Sequence, residues 1–404
     1  GVHYPSDVIA GALLGCGNGV SFVVGTEMLW QFIGSRWLPL WYQRFPGWVT
    51  APDRTFSAAL PASRVTPDVY WLRLGYGFIA VMLVTRLIYL ASDIIELTED
   101  EAYQWLWSKH LAFSYFSKPP LIAWTQWLGT HLCGDTALGV RFFAPLLAAG
   151  GSVLVLRFFA KHVSSRAGFW LVVLASVTPL LATGSILMTV DALLVFFWTL
   201  AMISGWRAVQ ANGTVLDWIL TGVCTGLAFL SKYTALLQLV CWAVFFILSR
   251  PARIHLRRAG PYLALLSVLV CALPVIFWNA QHGWVTASHV ATDAKLDEPW
   301  HFKPANTFVF LFATAALLHP ICFVAAVWAA IAFWKAHRDD PLLCYFFAMG
   351  VPVYLFYLVF TIHSRVLENW IAAAVIPAFC LMAVYWDRRF RAGARALRGW
   401  LWAA

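Results

Sequence analysis

Ten long apolar runs follow one another along most of this 404-residue chain and constrain its fold more than any other feature. A helix needs about 20 apolar residues to cross the hydrocarbon core of a bilayer, and most of the runs approach that length. The runs are 72–92, 137–160, 167–183, 189–206, 216–231, 233–249, 260–278, 306–334, 341–362 and 370–386. Since backbone polar groups in lipid must be satisfied within a helix or a closed barrel, the sequence predicts an all-α polytopic membrane protein.

Basic residues follow these runs in a regular way that predicts their orientation. If the runs alternate in direction, four clusters and an arginine-rich linker all fall on one side, which is therefore predicted to be cytoplasmic. The clusters are Arg157, Lys161 and Arg166; Arg250, Arg253, Arg257 and Arg258; Lys335, His337 and Arg338; and Arg388, Arg389, Arg391, Arg395 and Arg398. The acidic stretch near residue 100 then faces the opposite compartment.

Composition argues against two other classes of protein. The net charge of +9 comes from basic loops between apolar runs, which topology and anionic lipid head groups explain better than nucleic acid does. The eight cysteines show no CxxC spacing, which argues against a zinc site or a disulfide framework. Most of them lie within apolar runs and are predicted to be small buried side chains.

The first 34 residues differ from the rest of the chain. They open with GVHYPSDVIAG, which resembles the last signature motif of type 2 phosphatidic-acid phosphatases, with His3 and Asp7 as its imidazole and carboxylate. The earlier phosphate-binding motifs of that family are absent from this sequence, so we expect residues 1–34 to be a phosphatase-like remnant without activity and the chain to be a fragment. A basic linker at 35–71, a transmembrane domain at 72–390 and a basic tail at 391–404 are predicted to follow.

Acidic residues are concentrated just after the first long apolar run. Five of the 19 acids fall within the nine positions from Asp93 to Glu101. Carboxylates are costly near hydrocarbon and indicate proton, metal or substrate chemistry there. Thr98 and Glu101 have the spacing of a helix capping box, which explains Glu101 as well as a catalytic role does. Asp100 is the stronger catalytic candidate, although an acid at a helix N-terminus is also favoured by the helix dipole.

Three further charged residues are candidates on the same side of the membrane. Lys118 precedes two prolines that start a helix, so its cation lies beside free backbone N–H groups and predicts an anion site. A lysine that extends toward the interface is the structural alternative. Asp191 lies at the start of the fourth run. It is predicted to be either a helix cap or a second reactive carboxylate. Lys232 lies between two closely spaced runs and is a functional candidate on the same grounds.

Seven motifs occur in the order seen in bacterial members of the protein O-mannosyltransferase superfamily, which includes the lipid A aminoarabinose and galacturonic-acid transferases. The motifs, spread over about residues 72–390, are EDEAYQWLWSKHL, YFSKPPLIAW, GDTALGVRFFAPL, LMTVDALLVFFW, GLAFLSKYTALL, PVIFWNAQHGWVTASHV and ENWIAAAVIPA. The resemblance implies the GT-C fold, a helical bundle with surface helices on the periplasmic side. It also implies transfer of a sugar from a polyprenyl-phosphate carrier in the bacterial inner membrane.

The same resemblance implies roles for individual residues. Asp100 matches the catalytic aspartate, Glu101 its acidic neighbour and Asp191 a second carboxylate of the site. Lys118, with Lys232 as a further candidate, matches the cation that binds the carrier phosphate. Substrate contacts are expected from Tyr103, Glu368, Asn369 and Arg86.

Two departures from the aminoarabinose transferases bear on the site. Ser117 stands where those enzymes have a metal-binding glutamate, so a divalent metal would depend on His289 or His282. Asn369-Trp370-Ile371 stands where those enzymes have Asn-Trp-Pro near the last helix, so isoleucine replaces the proline.

Arg86 lies within the first core run and is expected to pair with a carboxylate of the acidic stretch.

The sequence therefore predicts an integral-membrane glycosyltransferase that moves a sugar from a polyprenyl-phosphate carrier to a lipid, such as lipid A, or to another envelope acceptor. Its substrates and membrane lipids are the expected partners. In a full-length protein, the phosphatase would expose a hydroxyl that the transferase then glycosylates. Two alternatives stay open. A phosphatase requires the missing upstream motifs, and a transporter of lipid-linked sugars should show an internal repeat, which the sequence lacks.

Overall fold

The computed structural model describes residues 67–293 and 302–392, with a few isolated positions between 26 and 42. Most of the predicted phosphatase remnant, including His3 and Asp7, lies outside the described residues, as do most of the linker and nearly all of the tail. Those assignments stay predictions. The chain divides into Gly1–Tyr70 and Trp71–Ala404, and the candidate site lies in the second unit.

Residues 67–293 and 302–392 form helices joined by short turns, with no strand among them. Sixteen α-helices, α1 to α16 in chain order, span Pro67–Ala91, Glu99–Ser108, Leu121–Cys133, Ala137–Arg141, Phe143–His162, Ser165–Val177, Pro179–Gly184, Val190–Ala208, Val215–Ser231, Leu237–Leu248, Gly260–Gln281, Val285–Asp293, Pro304–Leu317, Pro320–Ala336, Pro341–Phe360 and Ala372–Arg391. Short 3₁₀ helices cover Tyr233–Leu236, Pro251–Arg257 and Glu368–Ile371. The predicted all-α class is confirmed.

Six helical segments of the described chain are long and apolar enough to cross a membrane, and up to eight are if each of two bent pairs counts as one span. Each of the ten predicted apolar runs corresponds to one of these segments or to the shorter apolar helices α6 and α9. The chain is therefore a multi-span membrane protein, as its long apolar runs predicted.

In three of the predicted runs a proline sets a helix boundary that the sequence analysis placed elsewhere or missed. The run 306–334 is two helices bent by 110°. His319 lies between them with φ +66°, and Pro320 starts α14. The run 167–183 breaks before Pro179, which starts α7. The first span begins at Pro67 rather than at residue 72. Proline cannot donate the hydrogen bond that continues a helix, but it suits a first turn.

Close helix packing builds the core of the bundle. A Cβ atom added to Gly222 of α9 would lie 2.1 Å from the backbone oxygen of Ala264 in α11, so these two helices touch backbone to backbone. Small residues allow such approach in membrane bundles, where packing replaces the hydrophobic effect. Aromatic side chains of α8, α15 and α16 fill the remaining space, and Trp198, Tyr345 and Phe379 are at most 1% exposed.

The two ends of the bundle differ in charge. At one end Arg388 pairs with Asp340, and Arg391 donates to the Val163 carbonyl at 3.3 Å. A cavity of about 370 Å³ at this basic end is lined in part by His162 and Arg388. The other end carries the candidate residues of the acidic stretch and, in addition, Asp191 and Lys232. The helices that carry these residues run in alternating directions, which brings them to the same end. The predicted clustering of basic residues at one end is therefore present in the fold.

Candidate functional site

Glu101 is the third residue of α2 and is fully buried. The predicted capping box is confirmed, since the Glu101 amide donates to Thr98 Oγ1 and the Thr98 amide donates to Glu101 Oε2. Arg141 adds two hydrogen bonds, from Nε to Oε1 at 2.8 Å and from NH2 to Oε2 at 2.6 Å. The backbone amide of Met188 donates to Oε1 at 3.0 Å.

These contacts determine the charge of Glu101. Burial by itself raises the pKa of a carboxyl group, but the hydrogen bonds from Arg141, Thr98 and Met188 lower it by more. The pKa of Glu101 therefore lies below the ordinary value for glutamate, and the side chain is a carboxylate at neutral pH. Because each oxygen already accepts at least two hydrogen bonds, Glu101 has the contacts of a structural carboxylate.

Asp100, the preceding residue, has the opposite environment. It lies in the first turn of α2 with its side chain exposed, next to the exposed Glu99. An exposed carboxylate at the start of a helix can accept a proton from a substrate hydroxyl without first losing an internal partner. Tyr103, one turn further on, is 45% exposed, and its ring centroid lies 4.4 Å from that of Trp107.

Asp191, Lys232 and Asn369 form one polar cluster. Lys232 Nζ lies 2.7 Å from Asp191 Oδ1, with the two side chains only 12% and 15% exposed. Asn369 Nδ2 donates to the other oxygen, Oδ2, at 2.9 Å. The cluster joins the start of α8, the end of α9 and the turn before α16, so residues far apart in sequence meet here. Glu368, beside Asn369, is half-buried.

Lys118 follows a loop that is fixed to the same end of the bundle. Ser114 Oγ lies 3.1 Å from the Tyr233 hydroxyl, next to Lys232 in sequence, and Thr286 Oγ1 donates to the Tyr115 carbonyl at 2.9 Å. As predicted, two prolines follow Lys118 and α3 begins at Leu121. Within the described chain the Lys118 ammonium group makes no hydrogen bond or ion pair.

Arg86 does not pair with the acidic stretch, so that prediction is wrong. Its side chain is 8% exposed on the face of α1 that also buries Ile79 and Leu90. No carboxylate of residues 67–293 or 302–392 lies within ion-pair distance of it. The acids of the stretch have other positions, because Glu101 is bound by Arg141 whereas Glu99 and Asp100 face solvent.

The two histidines proposed as metal ligands lie among aromatic side chains. His282 stacks on Trp278 with 4.0 Å between ring centroids, and His289 lies 4.4 Å from the Phe116 ring. No group of three His, Cys, Asp or Glu side chains suited to a metal ion occurs in the described residues. The described residues around His282 and His289 therefore do not fit a conventional three-ligand metal site.

Arg141 and Gln126 are the residues that sequence reasoning missed. Arg141 is 1% exposed and binds Glu101, and Gln126 Nε2 donates to the Met188 carbonyl at 3.2 Å. An arginine at the edge of an apolar run was a signal that could have singled out Arg141, since such a charge requires a partner. Gln126 in an apolar helix was a weaker signal of the same kind.

Comparison with known proteins agrees with this architecture. Residues 117–278 match the family described as dolichyl-phosphate-mannose-protein mannosyltransferase. The structure resembles ArnT from Cupriavidus metallidurans bound to undecaprenyl phosphate, with a TM-score of 0.62 and 17% identity over 79% of this chain and 60% of that one. The likeness shows the fold, a helical membrane bundle of the GT-C type, which confirms the predicted fold class.

Two relatives in sequence define the resemblance further. The lipid A galacturonosyltransferase RgtD of Rhizobium johnstonii is 27% identical over 79% of this chain and 67% of its own length. The undecaprenyl phosphate-alpha-4-amino-4-deoxy-L-arabinose arabinosyl transferase of Pseudomonas aeruginosa is 27% identical over 73% of this chain and 54% of its own. The predicted resemblance to the bacterial lipid A transferases is confirmed. The chain spans about half to two thirds of the length of these relatives.

Proposed function

We propose that this protein is an integral-membrane glycosyltransferase of the bacterial inner membrane. It takes a sugar from a polyprenyl-phosphate carrier and transfers it to a lipid acceptor, with lipid A as the acceptor to test first. The observation that carries the proposal concerns one end of a GT-C-type bundle. An exposed Asp100, a Lys118 that no described residue pairs with, and the Asp191–Lys232–Asn369 cluster all lie there. Relatives named for this chemistry support it.

The proposed site faces the periplasm. Its support is the charge difference between the two ends of the bundle, since loops rich in lysine and arginine stay in the cytoplasm. The carboxylates lie at the end opposite to Arg388 and Arg391. A donor and an acceptor embedded in the outer leaflet can both reach that end by lateral diffusion.

The reaction is a single displacement at the anomeric carbon. Asp100 accepts the proton of the acceptor hydroxyl as its oxygen forms the new C–O bond. The bond from the anomeric carbon to the phosphate oxygen breaks, the configuration inverts, and the polyprenyl phosphate leaves with the bonding electrons. Lys118 and the free amides at the start of α3 stabilise the charge that develops on the phosphate.

The two lysines have different parts in this proposal. Lys232 is paired with Asp191 at 2.7 Å, so its charge is largely compensated within the protein. Lys118 has no such partner in the described residues and is therefore the main cation for the carrier phosphate. Lys232 orients one oxygen of Asp191, and Asn369 fixes the second oxygen of the same carboxylate.

Arg86 is proposed as a second cation for a substrate. Its buried guanidinium group pairs with no described residue, which is costly in a membrane-spanning helix, and an anionic group of a lipid substrate would compensate its charge. Tyr103 and Glu368 are proposed to contact the sugar or the acceptor, because both lie on the same end of the bundle with side chains at least partly accessible.

The test is transfer by purified protein in lipid vesicles that contain undecaprenyl-phosphate sugars and lipid A, followed by mass spectrometry of the lipids. Separate arms supply galacturonic acid and aminoarabinose as the sugar. Asp100→Asn should abolish product while undecaprenyl phosphate still binds. The matched control is Glu99→Gln, which removes an equally exposed acid one residue away and should leave transfer intact. Full transfer by Asp100→Asn would refute the assignment.

The alternatives make different predictions in the same assay. A transporter would move the lipid-linked sugar across the vesicle membrane without a change in mass. A phosphatase would release inorganic phosphate from lipid A, and for that the His3 and Asp7 segment would need the upstream motifs that this sequence lacks. The relatives named above are transferases, which favours the first proposal.

A further inference from the structure

The guanidinium group of Arg141 donates four hydrogen bonds at this end of the bundle. It is the last residue of α4, and its side chain is almost completely buried. Besides its two hydrogen bonds to Glu101, NH1 donates to the Ile95 carbonyl and NH2 to the Glu96 carbonyl, both at 2.8 Å. One guanidinium group therefore connects the α4–α5 junction to the acidic stretch and to the start of α2.

Glu101 extends this set of hydrogen bonds toward Asp191, the second carboxylate of the candidate site. Its Oε1 accepts the Met188 amide at 3.0 Å, and Gln126 of α3 donates to the Met188 carbonyl at 3.2 Å. The peptide groups on both sides of Met188 are thus held by side chains. Met188 itself is fully buried and precedes Asp191 by three residues. Glu101, at the other end of the connection, directly follows Asp100.

We propose that Arg141 and Gln126 are positioning residues that act through Glu101 and Met188. They set the position of Asp191 relative to Asp100, so that both carboxylates address one substrate. The predicted effect of these residues on catalysis rests on the proposed function. Neither residue touches the substrate.

The geometry of the pair suits this role. A bidentate arginine–carboxylate contact fixes both distance and orientation, and lysine cannot reproduce it because its charge sits on a single nitrogen. Displacement of reacting groups by about 1 Å can slow a reaction by about 100-fold. A chain of hydrogen bonds that joins two catalytic segments therefore affects the rate at saturating substrate more than it affects substrate binding.

A similar arrangement at the other end of the bundle supplies a control. Asp217 is also the third residue of a capping box, with Thr214 as its partner, and it also pairs with an arginine, Arg207, at 2.9 Å. It is 6% exposed. Arg207 lies in the last turn of α8, and no hydrogen bond among the described side chains joins this pair to the first turn of α8 or to α2. Asp217→Asn should therefore lower thermal stability without a change in the kinetics of transfer.

The experiment compares Arg141→Lys, Gln126→Met and Asp217→Asn in the full chain by kinetics and by hydrogen exchange. Arg141→Lys should lower kcat by about 100-fold and Gln126→Met by about 10-fold, with KM within about twofold of the wild type. Both variants should also speed amide exchange in residues 186–192. Asp217→Asn should change neither kcat nor exchange in that segment.

Two results would overturn the inference. If exchange in residues 186–192 is unchanged in both variants, Arg141 and Gln126 do not hold Met188 in place, whatever the activity. If kcat is unchanged while the melting temperature falls as in Asp217→Asn, the contacts are only structural. A third result separates this inference from the proposed function. If the wild type transfers no sugar but both variants speed exchange in residues 186–192, the proposed function is contradicted and the coupling between the two segments is supported.

Discussion

The ammonium group of Lys232 lies 2.7 Å from Oδ1 of Asp191, although the two residues are 41 positions apart. Both side chains are largely buried, and the pair connects the first turn of α8 to the residue after α9. Each charge therefore depends on the other, and the pair has consequences for stability as well as for the site.

The first prediction concerns this pair. Removal of one partner leaves the other charge buried and uncompensated, which costs more than removal of both. Lys232→Met and Asp191→Asn should each lower the melting temperature, and the double variant should lose less than the sum, with a coupling of about 1–3 kcal/mol. The exposed Lys109–Asp135 pair is the control, and its coupling should stay below about 1 kcal/mol. Equal couplings would show that burial does not strengthen the first pair.

The second prediction concerns the pH dependence of stability. The folded-state pKa of Glu101 is depressed, so its contribution is fully present above the unfolded-state value of about 4.3 and is lost as the pH falls further through the folded pKa. The wild type should lose stability in that acid range. Glu101→Gln should be less stable at neutral pH and show a weaker acid dependence, as measured by melting temperature from pH 7 to pH 3. Parallel acid profiles would contradict the assignment of this dependence to Glu101.

The third prediction concerns Arg86. Because no described residue accepts its hydrogen bonds, Arg86→Met should not destabilise the protein, and the melting temperature should stay the same or rise by about 2–4 °C. If Arg86 binds an anionic group of a substrate, the same variant should raise KM by about tenfold, the equivalent of about 1.4 kcal/mol. Arg86→Lys should restore part of the affinity. A destabilised Arg86→Met with unchanged KM would assign the arginine a purely structural role.

The fourth prediction concerns Asn369. Its amide donates to Asp191 Oδ2 at 2.9 Å, so Asn369→Asp would place two carboxylates in contact. Asn369→Ala should lower transfer by about 10-fold through loss of one hydrogen bond to a charged group. Asn369→Asp should lower it further, because two adjacent carboxylates repel each other where one hydrogen bond was made before. Measurement of kcat/KM for both variants separates the loss of a hydrogen bond from this added repulsion, and an Asn369→Asp variant as active as Asn369→Ala would contradict the contact.

Much of this architecture could be predicted because it depends on local properties of the chain. Apolar runs of spanning length follow from the thickness of a bilayer, and the Thr98–Glu101 capping box follows from the spacing of two residues. The start of α3 after Pro119 and Pro120 is equally local. The break at His319 had a local signal of the same kind in Pro320, but apolar residues on both sides of it made the run look continuous.

The partners of the charged residues were harder to predict. Arg86 lies close in sequence to the acidic stretch, and that proximity suggested a pair that the structure does not contain. Glu101 pairs instead with Arg141, 40 positions away, because α4 places the arginine against the start of α2. Lys232 was predicted to bind phosphate, but its contact with Asp191 arises only where α8 and α9 pack together.

The sequence by itself determined the helical class, the order of the apolar segments and the charge difference between the two ends, because each depends on neighbouring residues and on the surrounding lipid. Only the tertiary structure decided which charges are paired and which are left for a substrate. Ion pairs and hydrogen bonds are effective over a few ångströms, and the residues that come that close at Glu101 and Asp191 are brought together by helix packing alone.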